Sequence, residues 1–537
     1  MTVRMTSGRR MFLQGAAGTC LSIPLLPSIL GRGTAQAATE CTRVLLSMRT
    51  GHGGAWRSEF YPASDMAPQR TALGPLPWQA QHGPLSASMN GGRRALSPVS
   101  SAPADRLTDR IIGSMNVMLG LDYAIYPGHN DGYHLGAYCA DLNGYNSDNS
   151  WGPSIDQLLA YSPNFYSQRA EREPSIPIPV VNVGRSFGHV RPKDPSSPVR
   201  SQDRIDANRL WRSLFQPGGA LPRNADPVTE PQQRISAFND VHGALSRLRS
   251  RASAPGARLS SDDQQRLERH MDGIASLRGH FEAVNACAVP EPESDLSLPN
   301  EWAARAGLIR AAVECGLSQI FVLNTPTNDF LPDGIRSRYR DLHQDFVHQV
   351  ENDPRPMPDD GRAWWWHQIL RDVFEHSVLP MVEALDFDDA NGQNVLDSSL
   401  VLWTAEAGLR THSAFSVPVV TFGSVEGRLS TGQFIDYRSD EPSRPSASNP
   451  ESRRGLVYDQ LLGTILRAFG VDSSEYDHYR SRPAGARGDG AIAPEGRPVV
   501  GGYGAYSFGQ VEDGSSFYHD ENVRAFADEP LPVLFNG

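Results

Sequence analysis

Six short apolar runs constrain the fold of this chain more than any other feature: RVLLSM (43–48), VMLGL (117–121), IPVVNV (178–183), QIFVLN (319–324), SLVLW (399–403) and VPVVTF (417–422). Several are continuous rather than alternating, the pattern of strands covered on both faces. Helical patterns lie between them. NEWAARAGLIRAAVECG (300–316) offers Asn300 as N-cap and Gly316 as terminator. AWWWHQILRDVFEHSVLPMVEAL (363–385) puts Ile369, Val373, Phe374, Met381 and Leu385 on one face, with Pro380 as a kink. GLVYDQLLGTILRAFG (455–470) ends at Gly470. Strands interleaved with helices predict an α/β fold with a largely parallel sheet.

Other segments depart from that alternation. Residues 233–286 hold two helix-like patterns around SAPGARLSS, the second with Leu267, Met271, Ile274, Leu277 and Phe281 on one stripe. They predict a helical hairpin inserted in the domain and docked on its core. Residues 84–105, 184–202, 216–232 and 435–454 read as long polar loops. The Gly-rich segment 481–537 reads as an extension, either lying along the domain or mobile.

The first 37 residues read as an export signal. SGRRMFLQG places Arg9 and Arg10 ahead of Phe12 and Leu13, the twin-arginine pattern. An apolar stretch follows to Leu30, then the small-residue cleavage site AQAA. The apolar stretch is too short and too interrupted to span a membrane comfortably, and no later segment could cross one. The expectation is therefore twin-arginine translocation to a periplasmic or secreted location, with an α/β domain over 38–480. Losing a signal with four arginines and no acid takes the formal charge from −11 to −15. That charge argues against nucleic-acid binding. The single lysine, Lys193, lacks the context of a phosphate-binding loop or a Schiff base. Neither a dinucleotide fingerprint nor a haem C-x-x-C-H occurs. Cys41, Cys139, Cys287 and Cys315 remain after the signal and allow three disulfide pairings.

Histidines recur where the strands are expected to end, which is where α/β sheets place their sites. His52 follows the first run, His129 and His134 the second, His343 and His348 the fourth, and Glu406 and His412 the fifth. Imidazole and carboxylate together suit a divalent transition metal such as Zn, Mn or Fe. The metal-ligand candidates are His52, His129, His134, His343, His348 and His412. Asp131, Glu406 and Arg410 are the candidates for acid, base and anion-steadying roles, with Arg49 as a second candidate for the last. Within each pair, five residues of α-helix turn the side chain about 140° past a full turn. His129/His134 and His343/His348 therefore cannot share one α-helical face.

Taken together, RVLLSMRTGHGGAW, GLDYAIYPGHNDGYH, GPSIDQLLA, ECGLSQIFVLN, NVLDSSLVLWTAEAGLRTHS, VPVVTFGS and LLGTILRAFGV resemble a family of twin-arginine-exported bacterial proteins of unknown function, named for its HxxSHH motif. The resemblance runs from the signal to about Gly470. In HQDFVH, His343 and His348 match the first and last histidines of that motif, while Phe346 and Val347 replace its serine and middle histidine. The family is distantly similar to alkaline phosphatase and sulfatase-like hydrolases. That similarity implies a doubly wound α/β fold and a two-metal hydrolytic site acting on phosphate or sulfate esters. Such enzymes carry an aspartate after the first strand, where this chain has RTGHGG, and a Ser, Thr or Cys nucleophile at a helix start. Two functions follow as expectations: a metal-dependent ester hydrolase, or a non-catalytic binding or scaffold protein on a hydrolase-derived fold.

Overall fold

The computed structural model describes residues 42–53, 57–123, 133–136, 300–352, 361–440, 453–475 and 521–537, with short interruptions. It also describes most of 154–199, all of 206–215 and three short strands nearer the N-terminus. The predicted helical hairpin at 233–286 lies outside the described residues. Met1–Cys41 and Thr42–Gly537 are two separate units. In the first, Thr2–Met5, Arg10–Gln14 and Cys20–Pro24 form an antiparallel sheet.

The second unit is a mixed α/β structure around a nine-stranded sheet. In chain order its strands are β1 (Leu45–Thr50), β2 (Gln69–Ala72), β3 (Gln79–Pro84), β4 (Met115–Leu119), β5 (Val181–Val183), β6 (Ile320–Thr325), β7 (Leu400–Ala405), β8 (Val419–Phe422) and β9 (Gln433–Asp436). Across the sheet they lie in the order β5-β6-β1-β7-β8-β4-β9-β3-β2. Strands β5, β6, β1 and β7 are mutually parallel, and β4 pairs in parallel with β9. Strands β8 and β3 run against their neighbours, leaving seven of the nine strands pointing one way. All six apolar runs contribute a sheet strand. The antiparallel direction of β8 was not legible, because a buried strand is apolar in either direction.

Alternation along each strand divides the core in two. Val44, Leu46, Met48, Phe321, Leu323, Val401 and Trp403 face one side. There they meet α4 (Asn300–Glu314) and the long helix made of α5 (Arg362–Val373) and α6 (Leu379–Leu385). Leu45, Ile320, Val322, Leu400 and Leu402 face the other side, against α2 (Ile155–Tyr161) and α7 (Tyr458–Ala468). Helix α1 (Asp109–Ser114) leads directly into β4, and α3 (Ala207–Phe215) packs with α4 on the first face. Every one of the six β1 side chains is buried, which is why its sequence is a run and not an alternation.

The predicted helix stops are borne out in detail, whereas Asn300 is the first helical residue and not the N-cap. Gly316 adopts φ +62, its N–H donates to Val313 O at 2.9 Å, and Leu317 N–H donates to Ala312 O at 2.8 Å. Gly470 at φ +81 repeats the arrangement, with Arg467 and Leu466 as acceptors. Both are helix stops in which a left-handed glycine lets two trailing amides satisfy the last carbonyls. Pro380 does not break its helix at the ring. A π-helical turn, Phe374–Val378, precedes it and contains His376, whose carbonyl the proline ring would otherwise crowd. Ile369, Val373, Phe374, Met381 and Leu385 all reach the first core, as their spacing predicts.

Two polar stretches carry more order than expected. Within 84–105, Ser88–Asn90, Arg93–Ala95 and Ser101–Pro103 form a small antiparallel sheet. Its first turn is Gly91-Gly92, both at positive φ, the two-residue hairpin geometry that Asn-Gly-Gly signals. The chain end docks rather than trailing: Val523, Phe526, Ala527, Leu531 and Leu534 are buried in the second core. Gly74, at φ +53, leaves room for the Phe526 ring, which a Cβ there would approach to 2.7 Å. Among the described residues no helix is long and apolar enough to cross a membrane.

Candidate active site

Register builds the site. In the parallel ladder, Arg49 lies opposite Asn324 on β6 and Thr404 on β7, while Thr50 lies opposite Thr325 and Ala405. The ladder runs one residue further, since Glu406 N–H donates to Thr50 O at 2.9 Å. Successive residues point to opposite faces, so Arg49, Thr404 and Glu406 share the face that carries α7. Thr50 and Trp403 share the face that carries α5. The strand ends thus carry two polar groups back to back.

On the α7 face, the Glu406 carboxylate meets the Arg49 guanidinium at 3.5 Å, with both side chains almost fully buried. Arg49 also donates to Asn324 Oδ1 at 3.4 Å. Behind them Tyr123 and Tyr458 pack with ring centroids 4.8 Å apart. Tyr123 donates its hydroxyl to Ala405 O at 3.0 Å, and Tyr458 to His134 O at 3.0 Å. Burial raises the Tyr123 hydroxyl well above its ordinary pKa, and the neighbouring Tyr458 adds to the rise. It remains a proton donor throughout the physiological range.

On the α5 face the hydroxyls form a chain. Thr325 Oγ1 lies 3.0 Å from Arg49 O and shares a hydrogen bond of 2.8 Å with Thr50 Oγ1. Thr50 in turn accepts from Trp403 Nε1 at 2.8 Å. These contacts let the Thr50 hydroxyl brace the strand ends. A small pocket lies against Thr50, His52, Gly53, Trp403 and Ala405.

The turn after β1 brings His52 to this pocket. Its backbone N–H donates to Glu406 Oε2 at 2.8 Å. Its φ is +65, a conformation that costs a side-chain-bearing residue about 1–2 kcal/mol relative to glycine. The His52 ring stands edge-on to Trp366 at 6.3 Å and to His348 at 6.4 Å. Trp366 is itself pinned, donating from Nε1 to Gly53 O at 2.9 Å.

Of the sequence-predicted site residues, the structure therefore brings together His52, His348, Glu406 and Arg49. His134 is buried in the 3-10 turn Tyr133–Leu135, with its carbonyl tied to α7. His343 lies in a π-helical turn, Leu342–Phe346, followed by the 3-10 turn Val347–Asn352 that carries His348. The α-helical phasing used for that pair does not apply, because neither turn has 3.6 residues. His129, Asp131, Arg410 and His412 lie outside the described residues, and so does the side chain of His343. Among the described residues no three His, Cys, Asp or Glu side chains form a metal cage. Cys315 is disulfide-bonded, and its partner is not among the described side chains.

The sequence reading missed several of the polar groups that hold this edge together. Trp366, Thr50, Thr325 and Trp403 sit inside patterns that read as plain helix or strand. A visible signal was the polar finish of three apolar runs: Arg49-Thr50, Asn324-Thr325 and Thr404. Asp122 was also missed. Fully buried past the end of β4, it accepts Ser416 N–H at 2.6 Å and Gly455 N–H at 2.8 Å, stapling two loops to one strand. Gly455 is required there, since a Cβ would lie 1.9 Å from Gly120 O.

Burial pushes the Asp122 carboxyl up to about 7, against the two amide hydrogen bonds and the nearby Arg438, which pull it down. Arg438 is itself held by Asp436 in a two-point contact. The folded pKa lies above the unfolded value of about 4. The group therefore contributes stability that is fully present below pH ~4 and is lost as pH rises through ~7. The expected span is on the order of 4 kcal/mol. Urea midpoints at pH 5 and pH 8 test this: Asp122→Asn should flatten the difference. An unchanged pH slope in that variant would remove Asp122 as its source.

No family model, curated protein or solved structure matches the chain. What the fold and the site define is thus a class: a mixed α/β protein with a large, mostly parallel sheet and a polar cluster at the carboxyl ends of its central strands.

Proposed function

We propose that this chain is a metal-dependent hydrolase of phosphate or sulfate esters, exported by the twin-arginine route and related to the HxxSHH family. On this reading its doubly wound sheet is of the alkaline phosphatase-like kind. The observation that carries the proposal is the meeting of His52, His348, Glu406 and Arg49 at the carboxyl edge of β1, β6 and β7. That edge is where open α/β sheets bind ligands. The disulfide at Cys315 supports export, since such bonds persist in oxidising compartments.

Two neighbouring imidazoles are donors of the kind that a Zn, Mn or Fe ion takes. His52 and His348 would hold it, with His129, His134, His343 and His412 as the further candidates. Such an ion would supply Lewis acidity to an ester oxygen. The chain's own part is to orient the imidazoles, to keep the buried face dry, and to place Asp131 and Arg410 for proton transfer and anion binding. A non-catalytic binding or scaffold role is the second reading. It is favoured by RTGHGG at the end of β1, where the hydrolases that the HxxSHH family resembles carry an aspartate.

Protein exported through the twin-arginine pathway should carry a stoichiometric transition metal by elemental analysis. It should hydrolyse members of a panel of phosphate and sulfate esters, and lose thermal stability on chelation. His129→Ala and His412→Ala should each lower metal content. Metal-free, inactive protein whose melting is indifferent to chelators would leave the scaffold reading standing alone.

A further inference from the structure

We infer that Glu406 is a positioning residue: its carboxylate holds His52, and the His52 imidazole is the group that the site presents. The backbone of the Gly51-His52-Gly53 turn carries the argument. Of these three residues, only His52 has a positive φ. The side chain thus occupies the one position where glycine is favoured, and the glycines occupy positions that any residue could take. A residue kept against its backbone preference at a strand end points to a use for its side chain.

The turn is clamped from both sides. Glu406 Oε2 accepts the His52 N–H at 2.8 Å, and Trp366 Nε1 donates to the Gly53 carbonyl at 2.9 Å. The same carboxylate oxygen faces Arg49 at 3.5 Å, so the guanidinium fixes the carboxylate that fixes the turn. Glu406 therefore acts on His52 through its main chain. The ring is left edge-on between Trp366 and His348. A Cβ at Gly51 would meet the Glu406 oxygen at an ordinary 3.9 Å, so glycine is not demanded there.

The metal arm of the test rests on the proposed hydrolase site, whereas the ring arm does not. In histidine-labelled, metal-free protein, the His52 imidazole resonance is assigned by its loss in His52→Gly. Its shift reports the ring current of Trp366. Glu406→Ala should move that resonance and that of His348. Glu406→Asp, which keeps the charge and loses the reach, should move them as well. Glu406→Gln, which keeps an oxygen for the amide, should largely restore them. Zinc titration by calorimetry should show affinity weakened 10–100-fold in Glu406→Ala, the range typical of residues that orient a ligand. His52→Gly should lose zinc affinity while melting no lower than the parent chain. If Glu406→Ala fails to fold, Glu406→Asp decides the same point. Unmoved His52 and His348 resonances in a folded Ala or Asp variant overturn the inference. Absence of zinc binding in the parent chain overturns the metal reading and leaves the ring resonances to judge Glu406.

Discussion

A chain ending at Asp520 should not fold. The segment from Glu521 to Gly537 buries Val523, Phe526, Leu531 and Leu534 in the second core. At about 1.5–3 kcal/mol each, these four side chains contribute roughly 6–12 kcal/mol. That is comparable to the whole stability of a typical domain, about 5–15 kcal/mol. The loss would also strand polar groups. Gln460 donates to Phe526 O and Glu529 O, Thr464 accepts from Leu531 N–H, and Tyr437 donates to Pro532 O. Phe526→Ala alone should cost about 3–5 kcal/mol in urea unfolding. A truncated chain that stays soluble with an unaltered urea midpoint would show that this segment is ornament.

Gly408→Ala should cost about 4 kcal/mol or more and pull the site apart. Gly408 follows Glu406 by two residues, and its N–H donates to Ser413 O at 2.7 Å. A Cβ at this position would lie 1.6 Å from the Phe415 carbonyl oxygen. That oxygen is main chain and cannot swing aside, so either the loop opens or Glu406 retreats from His52. Both outcomes weaken the contact between Glu406 and the His52 amide. Gly307→Ala is the control. Gly307 is exposed in the middle of α4, and an added methyl there would meet nothing within 4 Å. Alanine should therefore raise stability by up to about 1 kcal/mol. Equal urea midpoints for Gly408→Ala and the parent chain would contradict the close approach.

Much of the scaffold was legible in the residue pattern. Strands buried on both faces are mostly apolar on both, so six of the nine sheet strands announced themselves as runs. The three that did not, β2, β3 and β9, lie at one side of the sheet. Gln69–Ala72 and Gln79–Pro84 are partly exposed and rich in Gln, Arg and Gly, with no apolar pattern to read. Helix stops at Gly316 and Gly470 were legible because a left-handed residue there is a local requirement. Docking of the chain end was legible only as one of two alternatives, because a Gly-rich approach hides a short apolar segment whose partner surface is made elsewhere.

The candidate site divides along the same line. Its members could be nominated from sequence because polar residues closing an apolar run mark a strand end. Local sequence alone determined that Arg49, His52 and Glu406 stand at strand ends, and that the domain is α/β. Tertiary structure decided which of them meet. Glu406 touches His52 across 354 positions of chain because β1 and β7 are parallel neighbours in a register that puts Thr50 beside Ala405. A one-residue slip would turn Glu406 to the other face. Tertiary structure likewise tied His134 to α7 through its carbonyl and gave His343 and His348 turns that are not α-helical. Strand pairing and turn type are settled by contacts distant in sequence, and no local pattern encodes them.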